Sequence, residues 1–327
     1  MGDFGIGIDI GGTKILFNLI DEYGRVFKKG FVKTGDTNEG DRIIEDIIKM
    51  INSIKEGFDV KSIGIGCAGF IDYEKGIVIK SPNINFLVDY PLKNVIERNI
   101  QIQTYIDNDV KMGAIGEMFF GEGVNSPFFI FLTLGTGIGG AIVYKNKLIR
   151  GMDNLAGEIG HLTLDKEGLY CGCGKRGCFE KLSSGGSIKD YVIQGIKMGR
   201  KTKILDRVQN DIQKIDTIVI MDLAFENDEL CVEAVLNSLH YVGLVVSYLI
   251  NIFNPDKIII GGGLTKGLGY FFNKIIDFAM LYSLKIPFER VKIVKASLEE
   301  EATSIGAGIY GLKKLKGEDL WIKVWNF

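Results

Sequence analysis

Apolar and polar residues alternate over the first thirty or so positions in three short runs. They predict strands at Ile6–Ile10, Lys14–Ile20 and Arg25–Val32. Between them lie Gly11-Gly12-Thr13 and Asp21-Glu22-Tyr23-Gly24, both of turn-forming composition. From Asp41 the period changes, with Ile43, Ile44, Ile47, Ile48, Ile51 and Ile54 recurring at helical spacing. A strand at Lys61–Cys67, another at Gly76–Lys80 and a short helix at Leu92–Asn99 follow. A buried strand, Gln103–Ile106, then runs into Asp107-Asn108-Asp109 and a helix through Phe120.

The order then starts again. Phe128–Leu134 and Gly140–Tyr144 read as strands around a Gly135–Gly139 turn, with Lys147–Ile149 as a third. Beyond a glycine- and cysteine-rich stretch the pattern is mostly helical, including a long run from Glu229 to about Asn251. A strand at Lys257–Ile260 leads into Gly261-Gly262-Gly263. A helix, a strand at Val291–Lys295 and a last helix from about Glu300 to Lys316 complete the chain. GIDIGGTKILFNL and LTLGTGIGGAIVY share one pattern, a Gly/Thr turn between strands. The repeat predicts a duplicated α/β, mixed-sheet fold of two lobes with a cleft between them. The expected division is residues 1–116 plus about 300–327 as the smaller lobe, and 117–299 as the larger lobe carrying the cysteine loop.

At 327 residues the chain suits two domains of ordinary size. Its formal net charge of -2 gives no electrostatic case for nucleic acid or membrane as partners. No basic leader precedes the first strand, and no apolar run reads as long enough to span a bilayer. The expected setting is reducing and cytoplasmic, because Cys67 and Cys231 are left unpaired in a chain with no export signal.

The other three cysteines fall with one of the two histidines in the pattern H-x9-C-x-C-x4-C: His161, Cys171, Cys173 and Cys178. One imidazole and three thiolates make the closed tetrahedral shell that structural zinc prefers, so this ion should hold a loop rather than do chemistry. A redox pair at Cys171/Cys173 or a cluster of core cysteines fits less well. The spacing is C-x-C, and the flanking residues are Gly172, Gly174, Lys175, Arg176 and Gly177.

Gly135-Thr136-Gly137-Ile138-Gly139-Gly140 formally matches the dinucleotide fingerprint G-x-G-x-x-G. That fingerprint needs a helix starting at the glycines, and a β-branched strand pattern follows instead. Nor is there a P-loop pattern. Glycine hairpins can still turn successive N–H groups onto a phosphate. Two of them at matching places in two halves suggest a nucleotide gripped from both sides, with Asp9 holding Mg²⁺ through water.

With these residues in view, the chain resembles the ROK family of repressors, open reading frames and kinases. Asp9-Ile10-Gly11-Gly12-Thr13-Lys14 is similar to its first phosphate motif, and Leu134-Gly135-Thr136-Gly137-Ile138-Gly139-Gly140 to its second. Ala156-Gly157-Glu158-Ile159-Gly160-His161 and the stretch from Cys171 to Glu180 are similar to its sugar and zinc signature. The resemblance runs from the first strand to Gly306-Ala307-Gly308. It implies the actin-like, sugar-kinase and Hsp70 type of fold (ribonuclease H-like).

It also implies roles. Asp109 matches the catalytic base, Asn108 and Asn83 match sugar contacts, and Gly69 lies in the loop approaching the ring. Glu158, His161 and Glu180 match residues holding sugar hydroxyls, His161 being also a zinc ligand. Gly261, Gly262 and Gly263 match the region beside the adenosine. The family loop written G-x-P-G is Gly66-Cys67-Ala68-Gly69 here, without its proline. The expected reaction is transfer of the γ-phosphate of ATP to a hexose, taken as glucose, in a homodimer or homotetramer. N-acetylmannosamine, N-acetylglucosamine, fructose and allose are alternatives. A sugar-sensing repressor would carry a helix-turn-helix ahead of the first motif, where this sequence has only a few residues. An actin-like or chaperone ATPase would not need Glu158, His161 and Glu180 beside a zinc loop.

The chemistry is readable without the family. A carboxylate can take the proton of a sugar hydroxyl during phosphoryl transfer, and Asp109 sits where a buried strand meets a helix. Helix capping is the competing role for Asp109, although Asp107 or Asn108 could cap equally well. Glu158 and Glu180 compete with a reading as solvated charge. His240, in an apolar helical stretch, reads as core or interface.

Overall fold

The computed structural model describes residues 2–322. β1 (Phe4–Ile10), β2 (Lys14–Asp21) and β3 (Val26–Lys33) form an antiparallel meander, followed by α1 (Gly40–Lys55). The helix buries Ile43, Ile44, Ile47, Ile51 and Ile54, the stripe its sequence period required. β4 (Val60–Cys67) runs parallel to β1. A small sheet of β5 (Phe70–Asp72), β6 (Ile77–Lys80) and β7 (Val88–Tyr90) comes next, then α2 (Leu92–Ile100). β8 (Thr104–Asn108) lies parallel to β4 and leads directly into α3 (Asp109–Phe120), giving the order β3-β2-β1-β4-β8.

β9 (Phe128–Leu134), β10 (Ile138–Tyr144) and β11 (Lys147–Ile149) repeat the meander. The helices α4 (Phe179–Ser183), α5 (Gly185–Lys197), α6 (Ile204–Arg207), α7 (Thr217–Phe225) and α8 (Glu229–Phe253) follow the cysteine loop. β12 (Lys257–Gly261), α9 (Gly263–Gly267), α10 (Phe272–Tyr282), α11 (Lys285–Arg290) and β13 (Lys292–Lys295) come next. α12 (Ala302–Leu315) and β14 (Trp321–Ile322) end the described chain. The second large sheet has the order β13-β12-β9-β10-β11-β14. Its strands β11-β10-β9-β12-β13 match β3-β2-β1-β4-β8 position for position, and β12 pairs with β13 in parallel as β4 does with β8. The duplication suggested by two Gly/Thr turns is thus present in the sheets.

The chain forms two compact units. Within the described residues, one comprises 2–131, Ala141–Gly157 and 296–322, the other Leu132–Gly140 and Glu158–Lys295. In the first, α12 packs on α3, β1 and β4, and the isoleucines of α1 join Ile6, Ile8, Ile63 and Ile65 in one core. In the second, α8 is the central helix, packed by α4, α5, α7 and α10. One expectation needs correcting here. By length and composition α8 is apolar enough to cross a membrane, although 61% of its most apolar window is buried inside the fold. Glu233, Asn237 and His240 interrupt the apolar run along the sequence.

Candidate active site

In the first unit, three parallel strands end at one level, with Ile10 paired to Cys67 and Cys67 to Asn108. Their carboxyl edge is where sheets of this kind present reactive groups. It carries Asp9, the Gly11–Lys14 turn, the loop around Gly69, and Asp109 as first residue of α3. Capping of α3 falls to Asn108, whose Oδ1 accepts from the N–H groups of Val110 (3.0 Å) and Lys111 (3.2 Å). The capping role weighed for Asp109 therefore belongs to its neighbour. Asp109 is fixed through its main chain, its carbonyl accepting from Thr303 Oγ1 at 3.2 Å. Burial, and then the charge of Asp109, push the Asp9 carboxyl up to about 8 against the opposing pull of Lys14. Two carboxylates so placed resist ionising together, and a divalent cation would relieve them.

Asn108 has a second task. Its Nδ2 donates to the Gly69 carbonyl at 3.2 Å, and Gly69 has φ +120°, a left-handed conformation in which a side chain would be strained. This bond restrains the loop that lacks its proline. It also takes one of the two amide hydrogens of Asn108, leaving one for a ligand. Asn83 is exposed and packs on the first glycine turn, its Cβ 2.9 Å from where a Gly12 side chain would begin. Lys14 pairs with Glu300 at 2.5 Å.

Sequence reading missed the buried polar cluster beneath this edge. Asp107 is fully buried and pairs with Arg150, itself only 2% exposed. Arg150 also donates to Asn154 Oδ1 (2.8 Å), and its guanidinium lies 3.9 Å from the Tyr73 ring centre and 4.7 Å from that of Trp321. Asn154 Nδ2 donates to Asp107 Oδ1 at 2.8 Å and to the Ile71 carbonyl at 3.2 Å, and Lys111 Nζ donates to the Asn154 carbonyl. An aspartate at the end of a buried strand is a signal in itself, since a buried charge demands a partner. Which distant arginine supplies it is not readable from spacing.

In the second unit, His161 closes a 3-10 turn that begins after Glu158, and Glu158 is exposed. The ligand atoms of His161, Cys171, Cys173 and Cys178 all lie within 4.8 Å of one another. Cys171 Sγ is 3.7 Å from His161 Nδ1, and Cys173 Sγ is 3.6 Å from Cys178 Sγ. Tetrahedral zinc with its usual bond lengths sets such edges at roughly 3.5–3.8 Å, so these four residues fit the ion. Burial and hydrogen bonds with Cys173 and Cys171 push the Cys178 thiol up to about 12, so a metal must displace its proton to bind. The loop is closed by isolated bridges between Thr163 and Cys178 and between Tyr170 and Arg176.

Glu180, in the first turn of α4, is half-buried and joined to the glycine turn before β10. Its Oε2 accepts from the Ile138 N–H at 2.9 Å, and its Oε1 is 3.8 Å from Cys171 Sγ. A strand and no helix follows these glycines, as the sequence pattern required. Gly135 and Thr136 line a cavity of about 380 Å³ together with Gly185, Ile218, Phe225 and Gly263. Its largely apolar wall comes from α7, which the sequence reading passed over. Ile218 is 71% exposed on that short apolar helix, a signal that could have been noticed. Gly261 ends β12 and Gly262 caps α9, so the Gly261–Gly263 turn delivers only Gly263 to this wall. His240 is half-buried, its Nε2 2.7 Å from Tyr282 OH among the rings of Tyr241, Phe278 and Tyr282.

The pattern that defines the ROK family matches residues 5–313. The chain belongs to the ROK family. It is 30% identical over 310 residues to the glucokinase of Halalkalibacterium halodurans, covering 93% of each chain. A xylose repressor of Caldicellulosiruptor bescii is 30% identical over 308 residues, 92% of this chain and 76% of that one. Among solved structures, a ROK family glucokinase from Streptomyces griseus in complex with glucose and AMPPNP superposes with a TM-score of 0.85. The two are 31% identical over 95% of this ROK chain and 99% of the other. The duplicated α/β architecture described above is thus the ROK sugar-kinase fold, of the actin-like and Hsp70 type.

Proposed function

We propose that this ROK protein is an ATP-dependent hexose kinase that phosphorylates the 6-hydroxyl of glucose, with Asp109 as general base. The observation that carries this reading is the place of Asp109: it is the first residue of α3 at the carboxyl edge of β1, β4 and β8, where its charge raises the Asp9 carboxyl, while Asn108 supplies the helix cap. Asp109 takes the proton of the hydroxyl as its oxygen attacks the γ-phosphorus, and ADP departs with the bridging oxygen. Gly69, Asn83, Asn108, Glu158, His161 and Glu180 hold the sugar. The N–H groups of Gly11–Lys14 and Gly135–Gly137 hold the phosphates, and Gly261–Gly263 with the 380 Å³ cavity take the adenosine. Mg²⁺ bound through water to Asp9 would neutralise phosphate charge. Zinc on His161, Cys171, Cys173 and Cys178 would fix the loop that carries His161 and leads into Glu180. The similarity to glucokinases, one of them bound to glucose and AMPPNP, supports glucose and ATP as substrates.

The similarity to a xylose repressor favours one second reading, a sugar-binding regulator without catalysis. ADP release measured with ATP, Mg²⁺ and a panel of glucose, N-acetylmannosamine, N-acetylglucosamine, fructose and allose separates the two. The kinase reading expects sugar-dependent ADP release with the highest kcat/KM on glucose. Sugar binding without ADP release from any of the five would favour the regulator.

A further inference from the structure

Glu180 faces two ways within one unit. Its Oε2 sits on the Ile138 N–H of the second glycine turn, and its Oε1 points to Cys171 of the cysteine cluster. The turn is built around this contact. Gly135 N–H donates to the Gly137 carbonyl at 3.0 Å, the Gly135 carbonyl accepts from Gly185 N–H at 2.9 Å, and Gly139 N–H reaches Thr133 Oγ1 at 3.2 Å. A Cβ on Gly137 would lie 2.6 Å from Glu180 Oε2, so position 137 is small where the carboxylate approaches. Gly135, Thr136 and Gly185, which this turn and its bonds position, line the 380 Å³ cavity.

We infer that Glu180 is a positioning residue for the nucleotide, holding the Gly135–Ile138 turn in its phosphate-binding shape and coupling that turn to the sugar and the metal loop. The inference rests on the sugar-kinase reading for both ligands, and what it adds is the Ile138 bond, through which Glu180 holds the turn. The two oxygens divide the work. Oε2 is committed to the turn, and Oε1 is the oxygen left for a sugar hydroxyl. A sugar ligand with no second task would leave nucleotide binding untouched when no sugar is present.

The test is calorimetric titration of the zinc-loaded protein with AMPPNP and Mg²⁺ in the absence of sugar. Glu180→Ala should weaken AMPPNP roughly tenfold or more, the loss expected when a charge-assisted hydrogen bond that orders a loop is removed. Glu180→Gln keeps an oxygen for the Ile138 N–H and should stay within about threefold of wild type. Gly137→Ala, which displaces the carboxylate without touching it chemically, should in turn weaken glucose binding in the absence of nucleotide. If Glu180→Ala is unstable, Gly137→Ala still decides. Equal AMPPNP affinity in wild type and Glu180→Ala, or unchanged glucose affinity in Gly137→Ala, would overturn the coupling. Failure of the wild type to bind AMPPNP, or to bind any of the five sugars, would instead count against the kinase reading.

Discussion

Asn108 Nδ2 donates to the Gly69 carbonyl across 3.2 Å, which ties the end of β8 to the loop that follows β4. The same side chain caps α3 through Oδ1. Asn108→Asp keeps the cap and removes the donor, whereas Asn108→Ala removes both. The Ala variant should lose about 1–2 kcal/mol of stability, the usual worth of a cap, and the Asp variant much less. Both should raise KM for sugar, because the Gly69 loop is released in each. Urea denaturation together with sugar kinetics checks the pair. A normal KM in Asn108→Asp would mean that the loop needs no tether.

Asp9 gives a pH dependence whose sign is fixed. Its carboxyl is raised from 3.8 to about 8 in the folded protein, so the folded state holds a proton that the unfolded state gives up. This contribution is complete below about pH 4 and is lost as pH rises to about 8. Asp9→Asn removes that loss. In ligand-free protein the variant should match wild type in Tm near pH 4 and exceed it increasingly towards pH 8, while its Mg²⁺-ATP turnover falls. A Tm difference that does not change with pH would refute the assignment.

The Asp107–Arg150 pair should show the asymmetry of buried charges. Removing only one partner strands the other, so Arg150→Met should cost about 3–5 kcal/mol. The double variant Asp107→Asn/Arg150→Met should recover part of that loss. Denaturation of the two single variants and the double variant closes the cycle. A double variant no more stable than Arg150→Met would show that the pair is not coupled.

Zinc should bind at one ion per chain, and Cys178→Ser should lose metal and sugar affinity together. The raised Cys178 thiol also sets a direction: zinc uptake releases protons, so affinity should fall as pH falls. Metal analysis and chelator competition at several pH values measure both. Full zinc content in Cys178→Ser with unchanged sugar binding would remove the metal from the sugar site.

What could be read in the sequence followed from short-range patterns. The Ile43–Ile54 stripe, the two strand–turn–strand stretches and the H-x9-C-x-C-x4-C spacing each express a local geometry, and the fold has all three. Asp109 stood out because it joins a strand to a helix, but which of three adjacent residues caps that helix depended on backbone angles. Asn108 has the extended conformation of a cap, with φ -63° and ψ 142°. The remainder was set by tertiary approach. Arg150 reaches Asp107 across forty-odd residues, and Glu180 finds the Ile138 N–H at a sequence separation of 42. No periodicity records either meeting.

The central claim is that Asp109 takes the proton of the sugar hydroxyl. Asp109→Asn keeps the size and hydrogen-bonding capacity of the side chain but cannot accept that proton. Steady-state kcat with ATP, Mg²⁺ and glucose, measured beside glucose affinity, is the direct test. A drop in kcat of about two to four orders of magnitude is expected, with glucose affinity and Tm close to wild type. Turnover at the wild-type rate in Asp109→Asn would contradict the mechanism.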